Sequence, residues 1–125
     1  MYEVRVQAQF YAAHRVRMSN RLLEPIHDHD FQVEAVIRGP TLNEDGVLVD
    51  FRTVQRALRR IVEPLSDSDL STAPLLAGLN PSSENLARKL FEALSREIGP
   101  QVSLAGIYVR EAPGCVAGYC GPDKT

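Results

Sequence analysis

Tyr2-Glu-Val-Arg-Val-Gln-Ala-Gln-Phe10 alternates strictly, with Val4, Val6, Ala8 and Phe10 on one face and Glu3, Arg5, Gln7 and Gln9 on the other. Successive side chains of an extended chain point to opposite sides, so this is a strand with one buried and one wet face. The period returns from Asp30 to Gly39, where Phe31, Val33, Ala35 and Ile37 oppose Gln32, Glu34 and Arg38, and Pro40 marks the end. Strands with one wet face belong to an antiparallel sheet covered on one side. The stretch between them carries Asn20, Pro25 and several charges, which predicts a long excursion from the sheet.

Downstream the period becomes helical. Asp50 is placed to cap a helix whose apolar positions are Phe51, Val54, Leu58, Ile61, Val62 and Leu65, with Pro64 helping to end it. Ser82 or Ser83 caps a second helix. Glu84 in its first turn complements the dipole, Leu86, Leu90, Phe91 and Leu94 form its buried stripe, and Gly99-Pro100 stops it. Val102 to Glu111 is again strand-like, and Cys115 to Tyr119 predicts a short strand beyond the Pro113-Gly114 turn. The order ββααββ predicts an α+β fold: an antiparallel four-stranded sheet with two helices on one face. The joining segment Ser66 to Pro81 is long enough to predict a functional or interface loop.

The 125 residues make one domain, 1–125, with a single core and no room for separate cofactor and substrate domains. At 44% apolar and 24% charged the chain is neither disordered nor disulfide-dense. Lys and Arg number 14 against 16 Asp and Glu, so there is no general attraction to phosphate backbones and no nucleic acid is expected as partner. The start lacks a basic segment leading into an apolar run, and no apolar stretch of about 18 residues occurs, so a cytoplasmic protein without a membrane partner is expected. In that compartment Cys115 and Cys120 are expected as free thiols.

The three histidines, His14, His27 and His29, lie close together in the sequence. In an extended segment, residues two apart point to one side roughly 6 to 7 Å apart, so His27 and His29 can face one ion, with His14 as a third donor. Three imidazoles without a fourth protein ligand describe a catalytic zinc site with an open position for substrate. Ordinary surface histidines in a loop are the alternative, and spacing alone does not choose between them.

The ordered motifs Phe10-Tyr-Ala-Ala-His14, His27-Asp-His29, Gly46-Val-Leu-Val-Asp50-Phe51, Pro81-Ser-Ser-Glu-Asn85 and Val109-Arg-Glu111 span nearly the whole chain. Together they resemble the 6-pyruvoyltetrahydropterin synthase and 6-carboxytetrahydropterin synthase family, whose tunnelling fold has the same ββααββ order. The resemblance implies zinc (Zn2+) on His14, His27 and His29, and a dihydroneopterin-type substrate whose side-chain oxygens bind the metal. It implies that Glu111 anchors the pterin ring, a role that would partner an acidic residue ending an apolar strand. Ser82 and Ser83 stand where the family has hydroxyl residues near the pterin, although helix capping explains them equally well. It also implies homo-oligomers, usually trimers stacked into hexamers, with sites between subunits.

The sequence departs from the family pattern in three places. Leu23 occupies the position of the family's catalytic cysteine, while Glu24 resembles a subgroup in which Glu-x-x-His replaces that cysteine and the pterin side chain is cleaved to a hydroxymethyl group. The family's Asp-His pair falls on Ser66-Asp67, so no histidine remains as proton relay and Asp67 or Asp69 is left to take part. Asp28 replaces the glycine between the two histidines, which is costly only where the backbone needs positive φ. Arg15, Arg17 and Arg21 flank the first histidine as candidate triphosphate contacts, and Cys115 is a conceivable substitute thiol. The expected function is a zinc-dependent lyase acting on 7,8-dihydroneopterin triphosphate, with Glu24 and Asp67 as catalytic candidates, in the 6-carboxytetrahydropterin branch that leads to queuosine. The hydroxymethyl-forming branch and a non-catalytic pterin- or purine-binding homologue are the alternatives.

Overall fold

The computed structural model describes residues 1–122. Two long strands, β1 (Tyr2–His14) and β2 (His27–Gly39), pair antiparallel along their whole length. Helix α1 (Phe51–Val62) follows, then a two-residue strand β3 (Ser68–Asp69), helix α2 (Ser83–Ile98), and strands β4 (Leu104–Ala112) and β5 (Cys115–Tyr119). The sheet order is β3-β1-β2-β4-β5.

This α+β architecture carries one more strand than the four expected. The interhelix segment meets the far end of β1, where Ser68 and Asp69 pair in parallel with Ala12 and Ala13, so the sheet is mixed rather than wholly antiparallel. Periodicity could not find a strand of two residues. The same segment is also less of a loop than its composition implies. Leu70, Ala73 and Leu76 are buried in it, wound into short 3-10 turns at Leu70–Thr72 and Pro74–Leu76.

The inward faces of the strands supply Val6, Phe10, Phe31, Val33, Ile107 and Val109, and the helices cover them with Val54, Leu58, Leu86, Leu90 and Leu94. Burying a large aliphatic or aromatic side chain contributes about 1.5 to 3 kcal/mol, so this double layer dominates the stability. Phe51 was expected in that layer and is 59% exposed, because the first helical residue after the Asp50 cap is turned away from the sheet. Helix α1 ends at Val62, and Pro64 falls in a 3-10 turn, Glu63–Leu65, that still buries Leu65. Gly99 closes α2 at φ 77°, a left-handed conformation that glycine adopts without steric cost.

Candidate metal and pterin site

The strand register builds the histidine cluster. His14 lies directly opposite His27 across β1 and β2, and Ala12 opposite His29. His14, His27 and His29 therefore continue the inward row that ends in Phe10 and Phe31, and the ring of Phe31 lies 5.4 Å from His14 and 5.6 Å from His29. A one-residue slip would turn His27 and His29 to the other face, so the buried Phe31 and Val33 that fix the register also fix the histidines. On β4, Val109 faces Val33, and Glu111, two residues on, reaches the same end of the layer.

The hydrogen bonds around the rings fix their tautomers. Nδ1–H of His14 donates to the carbonyl of Pro81 at 2.8 Å, and Nδ1–H of His27 donates to that of Pro25 at 3.0 Å. Both Nε2 atoms are thereby left with lone pairs, and they face each other at 3.0 Å. The Glu111 carboxylate adds Oε1 at 3.2 Å from His14 Nε2 and Oε2 at 3.8 Å from His29 Nε2. Nε2 of His29 is buried without any hydrogen-bond partner. Burial also pushes the His29 imidazole below its ordinary pKa, against the opposing pull of Glu111, which keeps its lone pair free at neutral pH.

The four donor atoms of His14, His27, His29 and Glu111 lie within 4.8 Å of one another. Acceptors so crowded repel unless a cation stands among them. A shared proton relieves one such contact at a time, whereas a metal ion relieves all of them. Ligand atoms about 2.0 to 2.1 Å from a tetrahedral zinc ion are about 3.3 Å apart, close to the spacings found here. The donor set fits zinc, and the carbonyls on the Nδ1 atoms are the outer partners that hold such ligands in one tautomer.

Beside the cluster lies an open pocket of about 400 Å³, with Val16, Met18, Glu24, Ser83, Glu84 and Cys115 among its walls and Glu111 shared with the cluster. Glu24 Oε1 stands 3.5 Å from His27 Nε2 and accepts from the backbone N–H of Val16 at 3.1 Å. The two serines divide their tasks. Ser82 Oγ accepts from the N–H of Asn85 and caps α2, whereas Ser83 Oγ donates to Glu111 Oε1 at 3.0 Å. Glu84, read from the sequence only as a dipole partner, also lines the pocket, and its single signal was its place beside Ser82 and Ser83.

Asp67 is not brought to this cluster. It is exposed, at φ 57°, with its N–H on the carbonyl of Tyr11, and its charge acts on Tyr11, which donates to Asp28 Oδ2 at 2.8 Å. Asp28 pairs with Ala13 in the ladder, and among the described residues the non-glycine positions with positive φ are Arg21 and Asp67, so the residue between the histidines needs no glycine. Leu23 is 55% exposed. A larger concavity, about 660 Å³, lies apart from the histidines, along the edge of β1 between Gln7–Phe10 and the end of α1.

Solved structures share this fold. A 6-pyruvoyl tetrahydropterin synthase of Caenorhabditis elegans superposes with a TM-score of 0.84 at 18% identity, over 97% of this chain and 96% of that one. The Plasmodium vivax 6-pyruvoyl tetrahydropterin synthase gives 0.79 at 17% identity, over 94% and 96%. That protein has also been solved with a glutamate, described as a catalytic residue, replaced by alanine and by cysteine. No curated protein sequence matches the chain. The family model for 6-pyruvoyl tetrahydropterin synthase matches residues 3–122, and the chain belongs to that family.

Proposed function

We propose that the protein is a zinc-dependent lyase acting on 7,8-dihydroneopterin triphosphate. The observation that carries this reading is the convergence of three imidazole Nε2 atoms, two with their tautomers fixed by carbonyls, on the rim of a pocket that also holds Glu24 and Glu111. Bound zinc supplies Lewis-acid polarisation of the oxygens on the pterin side chain. His14, His27 and His29 hold it. Glu111, with one oxygen on Ser83, receives the amide and amino hydrogens of the pterin ring and fixes which way the side chain points. Ser82 preserves the end of α2 that carries Ser83 and Glu84.

Glu24 moves the proton. Its carboxylate is at the mouth of the pocket within reach of the metal-facing side of His27, the place where a base must act on a substrate hydroxyl. The chain has leucine where the family's cysteine stands, and this favours a second reading in which the side chain is cleaved to leave a hydroxymethyl-dihydropterin. The glutamate variants of the Plasmodium vivax protein show that a carboxylate is described as catalytic in this fold. Asp67 faces away from its own chain's cluster and, in a closed ring of copies, would serve a neighbouring site.

Incubating the zinc-loaded protein with 7,8-dihydroneopterin triphosphate tests both readings by the mass of the pterin formed. A product with a carboxy or pyruvoyl group at ring position 6 supports the first, and a hydroxymethyl product the second. Tight binding with no turnover leaves a pterin-binding homologue.

A further inference from the structure

The twelve residues between β1 and β2 form a small hairpin standing over the metal cluster. Glu24 N–H donates to the Val16 carbonyl at 3.2 Å, Arg17 and Leu23 form an antiparallel bridge, and Met18 N–H donates to the Leu22 carbonyl at 3.0 Å. Arg21 turns the tip with φ 64°. Glu24 is the hairpin's return strand, so the position of the hairpin is the position of its carboxylate. Yet Met18, Leu22, Leu23 and Ile26 are all at least half exposed, so hydrophobic burial does not fasten the hairpin to the core.

The fastening is polar and centres on Asn80. Its Oδ1 accepts from the backbone N–H of Arg17 at 2.7 Å, and its Nδ2 donates to the carbonyl of the same residue at 2.9 Å. One amide side chain thus occupies both backbone groups of one residue, in the way a neighbouring strand would. Asn80 is itself held from the other side, since its carbonyl accepts from Asn85 Nδ2 at 2.9 Å and from Ser82 N–H at 2.8 Å. The next residue, Pro81, holds His14 through its carbonyl. The hairpin, the end of α2 and a metal ligand are therefore joined within two residues. Ser71 Oγ, accepting from Arg15 N–H at 3.3 Å, is a weaker and more distant tie.

We infer that Asn80 is a positioning residue whose paired hydrogen bonds to Arg17 hold the hairpin down and so set the distance from Glu24 to the metal-bound side chain of the substrate. The inference rests on Glu24 being the proton-transferring group. A misplacement of about 1 Å at a reacting centre costs as much as a hundredfold in rate, and the Asn80 side chain bonds Arg17 rather than any of the histidines or Glu111.

Asn80→Ala and Asn80→Asp test it, the second keeping the acceptor for Arg17 N–H and losing the donor. The expected result is a single-turnover rate lowered about 10- to 100-fold in Asn80→Ala and less in Asn80→Asp, with zinc content and pterin affinity within about twofold of the unaltered protein. In a Glu24→Gln background Asn80→Ala should cost less than about twofold more, because the group it positions is gone. An equal loss in both backgrounds would overturn the inference. Amide hydrogen exchange decides it independently of turnover: the N–H groups of Arg17, Met18 and Glu24 should exchange at least about 10-fold faster in Asn80→Ala. Unchanged exchange, or amides already unprotected in the unaltered protein, would refute the clamp. A zinc-loaded protein that protects these amides and turns over no pterin would instead sink the enzymatic reading and leave the clamp standing.

Discussion

His14, fully buried, gives its Nδ1–H to the carbonyl of Pro81, 67 residues further along the chain and just ahead of the cap of α2. This bond leaves Nε2 as an acceptor facing His27 and Glu111. Without a cation among them these acceptors face one another around a buried imidazole, which is destabilising.

Chelation should therefore lower the melting temperature as well as abolish activity. A ligand at a hundred times its dissociation constant stabilises by about 2.7 kcal/mol, worth roughly ten degrees in a domain of this size. His27→Ala should bind less than one equivalent of zinc and melt at the same temperature with and without chelator. A chelator-independent melting temperature in the unaltered protein would remove the metal from the reading.

The two serines should separate cleanly. Ser82→Ala deletes the cap of α2 and should cost about 0.5 to 2 kcal/mol of stability with little change in pterin affinity. Ser83→Ala deletes the donor to Glu111 and should weaken pterin binding with little change in unfolding. Denaturant titration and pterin binding on both variants check this, and a reversed pattern would exchange their roles.

The strands, the helices and the convergence of the three histidines were legible because each rests on a period that burial enforces. Val4 to Phe10 and Phe31 to Ile37 repeat every second residue, and His27 and His29 share that period with Phe31. What escaped depends on contacts between distant segments. Nothing local shows that Ser68 pairs with Ala12, that Leu70 and Leu76 are core, or that Ser82 rather than Ser83 is the cap. Asp67 is a catalytic candidate only by its place in a motif, and its own chain turns it toward Tyr11 and away from the histidines. Such placements follow from tertiary geometry that a single window of sequence does not contain.

Assembly is the third expectation. Pairing on the outer side of β1 is confined to Ala12 and Ala13, and β5 is the last strand of the sheet, so two edges stand open among the described residues. The groove of about 660 Å³ along β1 is where an added strand from another copy would lie. Sedimentation should give a trimer or hexamer at micromolar concentration. A monomer throughout would refute the ring and, with it, a role for Asp67 in a neighbouring site.

Acid should weaken the protein partly through Asp50. The Arg52 side chain and then its backbone N–H hold this carboxyl below its ordinary value of 3.8, and the bonds are 2.9 Å to the N–H and 3.0 Å to Nη2. A depressed folded value gives stability that is present above the unfolded value and is lost as pH falls through the folded one. Asp50→Asn still caps α1 but has no proton to take up, so its melting temperature should fall less steeply below about pH 4. Parallel acid limbs for the two proteins would contradict this.

Glu24 and Glu111 flank one pocket and should fail in different ways. Glu111→Gln keeps the shape but turns one acceptor into a donor and removes the charge facing His14, leaving a pterin donor unpaired at about 1 to 3 kcal/mol, or roughly 5- to 150-fold in affinity. Its zinc affinity should fall as well, because the same carboxylate stands among the metal-facing atoms. Glu24→Gln retains an oxygen for the Val16 N–H, so the hairpin and the pterin affinity should survive. Its single-turnover rate should drop about a hundredfold or more, since a carboxamide cannot accept the substrate proton. Pterin affinity, zinc affinity and single-turnover rate measured on both variants separate recognition from proton transfer. Equal losses of affinity would make Glu24 a second binding group, and an unchanged rate in Glu24→Gln would place the proton transfer on another residue of the pocket.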